Sequence, residues 1–236
     1  MTLSKKTEQV LAVLGQAVRD YAPVTFANSL GAEDMVLTDL IARHQPEISM
    51  FSLDTGRLPQ ETYDLMQEVR ERYEAPLQIY FPDSTLVEKF VAQRGVNGFY
   101  DSIENRKHCC HIRKVEPLKR ALAGKRAWIT GMRREQAVTR NGLEVSSYDA
   151  DYGLQKFNPL LEWTNAEVWE YIKEFDVPYN ALHDRFYPSI GCAPCTRAIA
   201  VGEDIRAGRW WWEDPANKEC GLHVGKAIPL RNSLSA

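Results

Sequence analysis

Five cysteines stand at positions 109, 110, 192, 195 and 220. Four of them form two pairs, the adjacent Cys109-Cys110 and the C-x-x-C of Cys192-Ala193-Pro194-Cys195. A lone C-x-x-C fits a redox pair or half a zinc site. Two thiolate pairs complete either a tetrahedral zinc site or an iron–sulfur cluster. Side chains of adjacent residues on a regular element diverge, so Cys109 and Cys110 reach one small ion only with difficulty. A four-iron cubane is wider and offers separate irons to separate thiolates. The spacing therefore favours a cluster and leaves zinc, or inert buried thiols, as alternatives. Cys220 stands apart in Lys218-Glu219-Cys220-Gly221-Leu222-His223. Lys218 and His223 could stabilise a thiolate there; the competing reading is an uninvolved exposed cysteine.

Strand–loop–helix units must position these groups. Helical spacing predicts helices over 7–21, 33–43, 59–73, 85–93 and 110–122. Short apolar runs predict buried strands at 24–27, 48–53, 77–81 and 127–130. Thr164-Asn165-Ala166-Glu167 is a capping box opening a helix to about Phe175. The stretches 95–108 and 142–155 lack a period and read as irregular, and regular structure is sparse beyond Pro178. Such alternation predicts an α/β fold with a parallel sheet flanked by helices. Ligands of such sheets bind beyond the carboxyl ends of the strands. Ser29, Asp54 and Gly131 all fall at expected strand ends.

The 236 residues suffice for one large domain with a tail, and 44% hydrophobic residues supply a core. The net charge of −3 gives no sign of nucleic acid or an anionic membrane as partner. The polar start, residues 1–6, has no secretory h-region, and no stretch reaches the ~20 apolar residues of a membrane span. These absences, with the odd cysteine count, make a reducing cytoplasm the expected compartment.

Six ordered motifs then carry a resemblance. They are Ser29-Leu30-Gly31-Ala32-Glu33-Asp34, Leu53-Asp54-Thr55-Gly56, Cys109-Cys110-x-x-Arg113-Lys114, Gly131-Met132-Arg133-Arg134-Glu135-Gln136, Tyr187-Pro188-Ser189-Ile190-Gly191-Cys192-x-x-Cys195, and Glu219-Cys220-Gly221-Leu222-His223. The chain resembles, nearly end to end, the assimilatory adenylyl-sulfate (APS) reductases of the sulfonucleotide (APS/PAPS) reductase family. The resemblance implies an adenine-nucleotide α-hydrolase-like (PP-loop-type) fold with an irregular C-terminal tail. It implies a nucleotide-binding domain over 1–212 and a flexible segment, 213–236, that carries the catalytic cysteine. It implies a [4Fe–4S] cluster on Cys109, Cys110, Cys192 and Cys195, and attack by Cys220 on the sulfate sulfur of APS. AMP leaves, and thioredoxin or glutaredoxin releases sulfite from the S-sulfonated cysteine. The family also leaves room for a homo-oligomer.

The same resemblance, with position in the chain, points to substrate contacts. Ser29 and Gly31 offer backbone N–H groups to an anion. The backbone of Leu53 could read the adenine edge, and Gly131 and Arg133 look like further nucleotide contacts. Lys114, Arg206, Arg209 and His223 could neutralise the phosphosulfate. Asp54 is balanced between a substrate contact and a loop brace. Glu135 is read as orienting an arginine. His44, His108, His111 and His183 are read as structural or surface residues, and Trp210-Trp211-Trp212 as part core, part docking surface. The loop lacks the Ser-Gly-Gly-x-Asp-Ser of pyrophosphatase relatives, so no magnesium chemistry is expected. The nearest alternative is a PAPS reductase or a dual-specificity enzyme; the two cysteine pairs, typically missing from PAPS reductases, favour APS. An alternative of another class is a non-catalytic iron–sulfur or zinc nucleotide sensor.

Overall fold

The computed structural model describes residues 2–73, 76–136 and 142–214. Its centre is a six-stranded sheet of β1 (Val24–Ala27), β2 (Ser49–Leu53), β3 (Leu77–Tyr80), β4 (Ala127–Ile129), β5 (Ser146–Asp149) and β6 (Leu154–Phe157), in the order β3-β2-β1-β4-β6-β5. All neighbours pair in parallel except β5 and β6. The helices are α1 (Leu3–Tyr21), α2 (Ala32–His44), α3 (Gln60–Tyr73), α4 (Ser84–Arg94), α5 (Ile103–Cys110), α6 (Glu116–Leu122) and α7 (Asn165–Glu174). The parallel α/β expectation holds for β1 to β4, while the parallel β6 and an antiparallel edge strand, β5, are added. That edge lies in the stretch read as irregular. The alternation in Ser146–Asp149 is too polar to announce a strand, and only pairing with β6 makes it one.

Local chemistry explains several boundaries. The capping box at Thr164 is formed, with Glu167 N–H donating to Thr164 and Thr164 N–H donating to Glu167. Thr2 caps α1, so that helix begins earlier than its apolar face suggests. The expected loop 95–108 instead holds a 3₁₀ turn at Gly98–Tyr100 and helix α5, capped by Ser102. Helix α5 continues through a π-helical turn, His111–Val115, into α6. The main core lies between the sheet and α1, α2, α3 and α7, with Val10, Leu14, Phe26, Val36, Ile41 and Ile129 fully enclosed. A second cluster under α6 includes Phe51, Leu118 and Trp128. A third, around Phe90, Phe99 and Ile112, receives Cys109, Cys195 and Trp212.

Strand order reverses at β1. Helix α2 leads away to β2 and β3, whereas β4 lies on the other side of β1. At such a switch point the loops leaving the two central strands part, and a crevice opens beyond their carboxyl ends.

Candidate active site

A cavity of about 750 Å³ occupies that crevice. Residues at the carboxyl ends of β1 (Asn28, Ser29, Gly31), β2 (Leu53, Thr55) and β4 (Thr130, Gly131, Arg133) line it. Lys114, Arg206 and Arg209 line it from other elements. Eight of the residues expected to touch substrate, Ser29, Gly31, Leu53, Lys114, Gly131, Arg133, Arg206 and Arg209, therefore meet in one space. Cys220 and His223 lie outside the described residues.

The loop after β1 is held by its own polar groups. Asn28 accepts from Leu30 N–H and donates to Thr38 Oγ1, each at 2.8 Å. Leu30 adopts φ +61°, a left-handed conformation unusual for a branched residue, with its side chain buried. Helix α2 then begins without a side-chain cap, so its first N–H groups face the crevice. Two carboxylates stand in its first turn, and each is engaged by hydrogen bonds. Glu33 accepts from Nε and Nη2 of Arg133, at 2.9 and 2.8 Å. Burial pushes Asp34 up to about 6, against hydrogen bonds from the Ser29 hydroxyl and N–H. Gly131 also donates to Asp34, and a Cβ at Gly131 would collide with Asp34 Oδ1. No side chain fits there.

Two further expected contacts, Arg133 and Asp54, are engaged by groups of the protein itself. Arg133 lines the crevice, yet its guanidinium is buried and engaged by Glu33, Glu135 and the Trp163 carbonyl. It joins α2 to the loop after β4 and the start of α7. Glu135 orients it and also accepts from Asn165 N–H. Asp54 is buried beside the crevice and braces a turn, accepting from Gly56 N–H at 2.7 Å and Tyr63 hydroxyl at 2.9 Å. Gly56 has φ +68°, which the turn needs.

Cys109, Cys110, Cys192 and Cys195 carry free thiols and line one small apolar cavity with Arg57, Phe99, Arg106, Arg113 and Lys114. Eighty-one residues of chain separate the pairs. Ala193 N–H donates to the Arg57 carbonyl, Tyr100 hydroxyl to Pro194, and Arg113 to Thr55, bringing the β2 loop, the 3₁₀ turn and the C-x-x-C together. Cys192 Sγ donates to Thr55 Oγ1 at 3.2 Å. Burial pushes Cys195 up to about 12 and raises Cys109 also. Among the described residues no three His, Cys, Asp or Glu side chains are placed to hold a metal ion. Lys114 borders this cavity and the crevice alike.

Asn28, Thr55, Arg106 and His183 escaped the sequence reading as site residues. Asn28 had a usable signal, an amide directly after a strand. Arg106 stands one turn before Cys110, but its segment showed no helical period. His183 lines the crevice, and burial lowers its pKa. The tryptophan run divides: Trp210 is buried, Trp212 packs on Tyr100 at 4.5 Å, and Trp211 is 40% exposed.

Fold and site together define an α/β protein whose switch-point crevice adjoins a four-cysteine cavity. The phosphoadenosine phosphosulfate reductase domain family matches residues 23–198, and the chain belongs to that family. The adenosine 5'-phosphosulfate reductase of Allochromatium vinosum is 52% identical over 98% of this chain and 91% of its own length. That of Burkholderia cepacia is 54% identical, over 99% and 94%. A crystal structure of phosphoadenylyl-sulfate reductase from Candida auris superposes with a TM-score of 0.69 at 31% identity, covering 83% of this chain and 96% of that one. The FMN adenylyltransferase of Candida glabrata, at 15% identity and TM-score 0.59 over 96% of this chain and 78% of its own, shares the fold. Among the described residues no helix is long and apolar enough to cross a membrane.

Proposed function

We propose that the chain reduces adenosine 5'-phosphosulfate to sulfite and AMP, in assimilatory sulfate reduction in the cytoplasm, with thioredoxin or glutaredoxin as reductant. The observation that carries this reading is Lys114, which borders both the crevice and the four-cysteine cavity. The names of the relatives supply the substrate class. Cys220 thiolate attacks the sulfate sulfur, the sulfur–oxygen bond to phosphate breaks, and AMP leaves with the electron pair. A reductant thiol then attacks Cys220 Sγ and sulfite leaves with that bond's electrons. A second thiol resolves the mixed disulfide, so the two electrons come from the reductant. Lys114, Arg206, Arg209 and His223 neutralise the phosphosulfate, while the Ser29–Ala32 backbone and the α2 N-terminus hold an anionic group. Arg133 acts by holding loops in place.

The four free thiols border one cavity, and four thiolates are the ligand set of a four-iron cubane. Held by Cys109, Cys110, Cys192 and Cys195, a [4Fe–4S] cluster would contribute local charge and a cross-link. The test mixes anaerobically purified protein with labelled APS and no reductant. Cys220 is expected to gain a sulfonate with release of AMP, and a Cys220→Ser chain to gain none. An unlabelled Cys220 in iron-loaded protein would defeat the reading. The solved PAPS reductase at 31% identity keeps dual specificity in view. Comparison of kcat/KM for APS and PAPS, scoring sulfite, is expected to favour APS.

A further inference from the structure

Arg106 is fully enclosed, one turn before Cys110 on α5. Its Nε and Nη2 donate to the two carboxylate oxygens of Glu213 at 2.9 and 2.7 Å, and the two side chains are 1% and 3% exposed. The same guanidinium hydrogen-bonds Cys110 and lies 4.8 Å from the ring centre of Trp210. Arg209, which lines the crevice, lies 4.7 Å from that ring. Trp210 itself is held at φ +40°, its N–H donating to the Cys195 carbonyl at 3.1 Å. Residues 209–213 are thus bound to the cysteine cavity at one side and present Arg209 to the crevice at the other. Cys220 follows Glu213 by seven residues, about 25 Å of extended chain at most.

A buried ion pair is often no more stable than apolar residues of its size, so stability alone is a weak reason for burying two charges here. Direction is a better one. We propose that Arg106 and Glu213 are positioning residues that lock the root of the Cys220 segment to the helix bearing Cys109 and Cys110, and so set the rate at which Cys220 meets substrate. This rests on the reductase reading above. Tether length by itself matters little. Moving the last anchored residue from Glu213 back to Trp210 lengthens the stretch to Cys220 from seven residues to ten, a dilution of about twofold. Lost direction is costlier, because a misplacement near 1 Å can slow a step by ~10²-fold.

The experiment uses full-length Glu213→Gln and the double variant Arg106→Met/Glu213→Leu, the second leaving no lone buried charge. Iron content, AMP affinity and the single-turnover rate of Cys220 sulfonation by APS are measured for each. The expected result is a tenfold or larger fall in sulfonation rate, with AMP affinity within about twofold of the parent and iron retained. Sulfonation within about twofold of the parent in the double variant overturns the lock. Loss of AMP affinity in step with sulfonation also overturns it, since that is the mark of general structural damage. A parent chain that acquires no sulfonate on Cys220 defeats the reductase reading itself, whatever the variants do.

Discussion

Asp34 sits under the loop that opens α2, taking hydrogen bonds from Ser29 and Gly131. Burial lifts its pKa from 3.8 to about 6. Between those values the folded protein keeps a proton that the unfolded chain has released. Asp34 therefore withdraws stability as pH rises through that window, by ~3 kcal/mol over the whole of it. In Asp34→Asn this withdrawal is absent. Urea unfolding at pH 4 and at pH 6.5 is expected to show the parent losing ~2 kcal/mol relative to the variant as pH rises. An unchanged difference would show that the carboxylate titrates normally. Neither the burial nor the close approach of Gly131 was legible in Ser29–Asp34 as a string, because β4 supplies both from about a hundred residues away. Asp54 shows the same limit in reverse. Its place at a strand end was readable, whereas its engagement by Gly56 and Tyr63 depends on the turn and on α3.

At the scale of elements, the run from Ile103 to Leu122 shows why a period can mislead. Its two halves meet through a π-helical turn, which adds a residue to the turn and shifts the apolar face. The α5 portion has almost no amphipathic pattern, since its Arg106 is buried and its Lys107 and His108 face outward. The expected loop is therefore a helix, and Cys109 and Cys110 leave its last turn directly into the cysteine cavity. The aromatic run after Arg209 divides likewise between core and surface. Trp211, exposed beside Tyr100 and Trp212, is the member able to meet a reductant protein. Trp211→Ala is expected to raise KM for thioredoxin roughly tenfold, the scale of one interfacial aromatic. The rate of Cys220 sulfonation should stay unchanged. Equal thioredoxin kinetics in parent and variant would remove Trp211 from the docking surface. Replacing Trp210 as well would confuse the test, because that ring is buried against two arginines.

For the molecule as a whole, the two cysteine pairs close a loop of about eighty residues across the crevice side of the sheet. Anything that binds all four thiols stabilises the fold, because the unfolded chain offers no such site. Anaerobically prepared Cys192→Ser is expected to lose iron and acid-labile sulfide. Its thermal midpoint should fall by roughly 5 °C, corresponding to about 2 kcal/mol. A protein that keeps both its iron and its midpoint would show that Cys192 is not a ligand.

The sequence by itself determined the alternation of strands and helices, the crevice end of the sheet and the separation of four cysteines from a fifth. Each of these is written in residues a few positions apart, in period, caps and spacing. Only the tertiary structure decided the reversal of strand order at β1, the antiparallel edge and the shared placement of Lys114 on both cavities. It alone decided the pairing of Arg106 with Glu213 across 107 positions. Such contacts repay the entropy of closing long loops through burial and electrostatics, and neither leaves a local pattern in the chain.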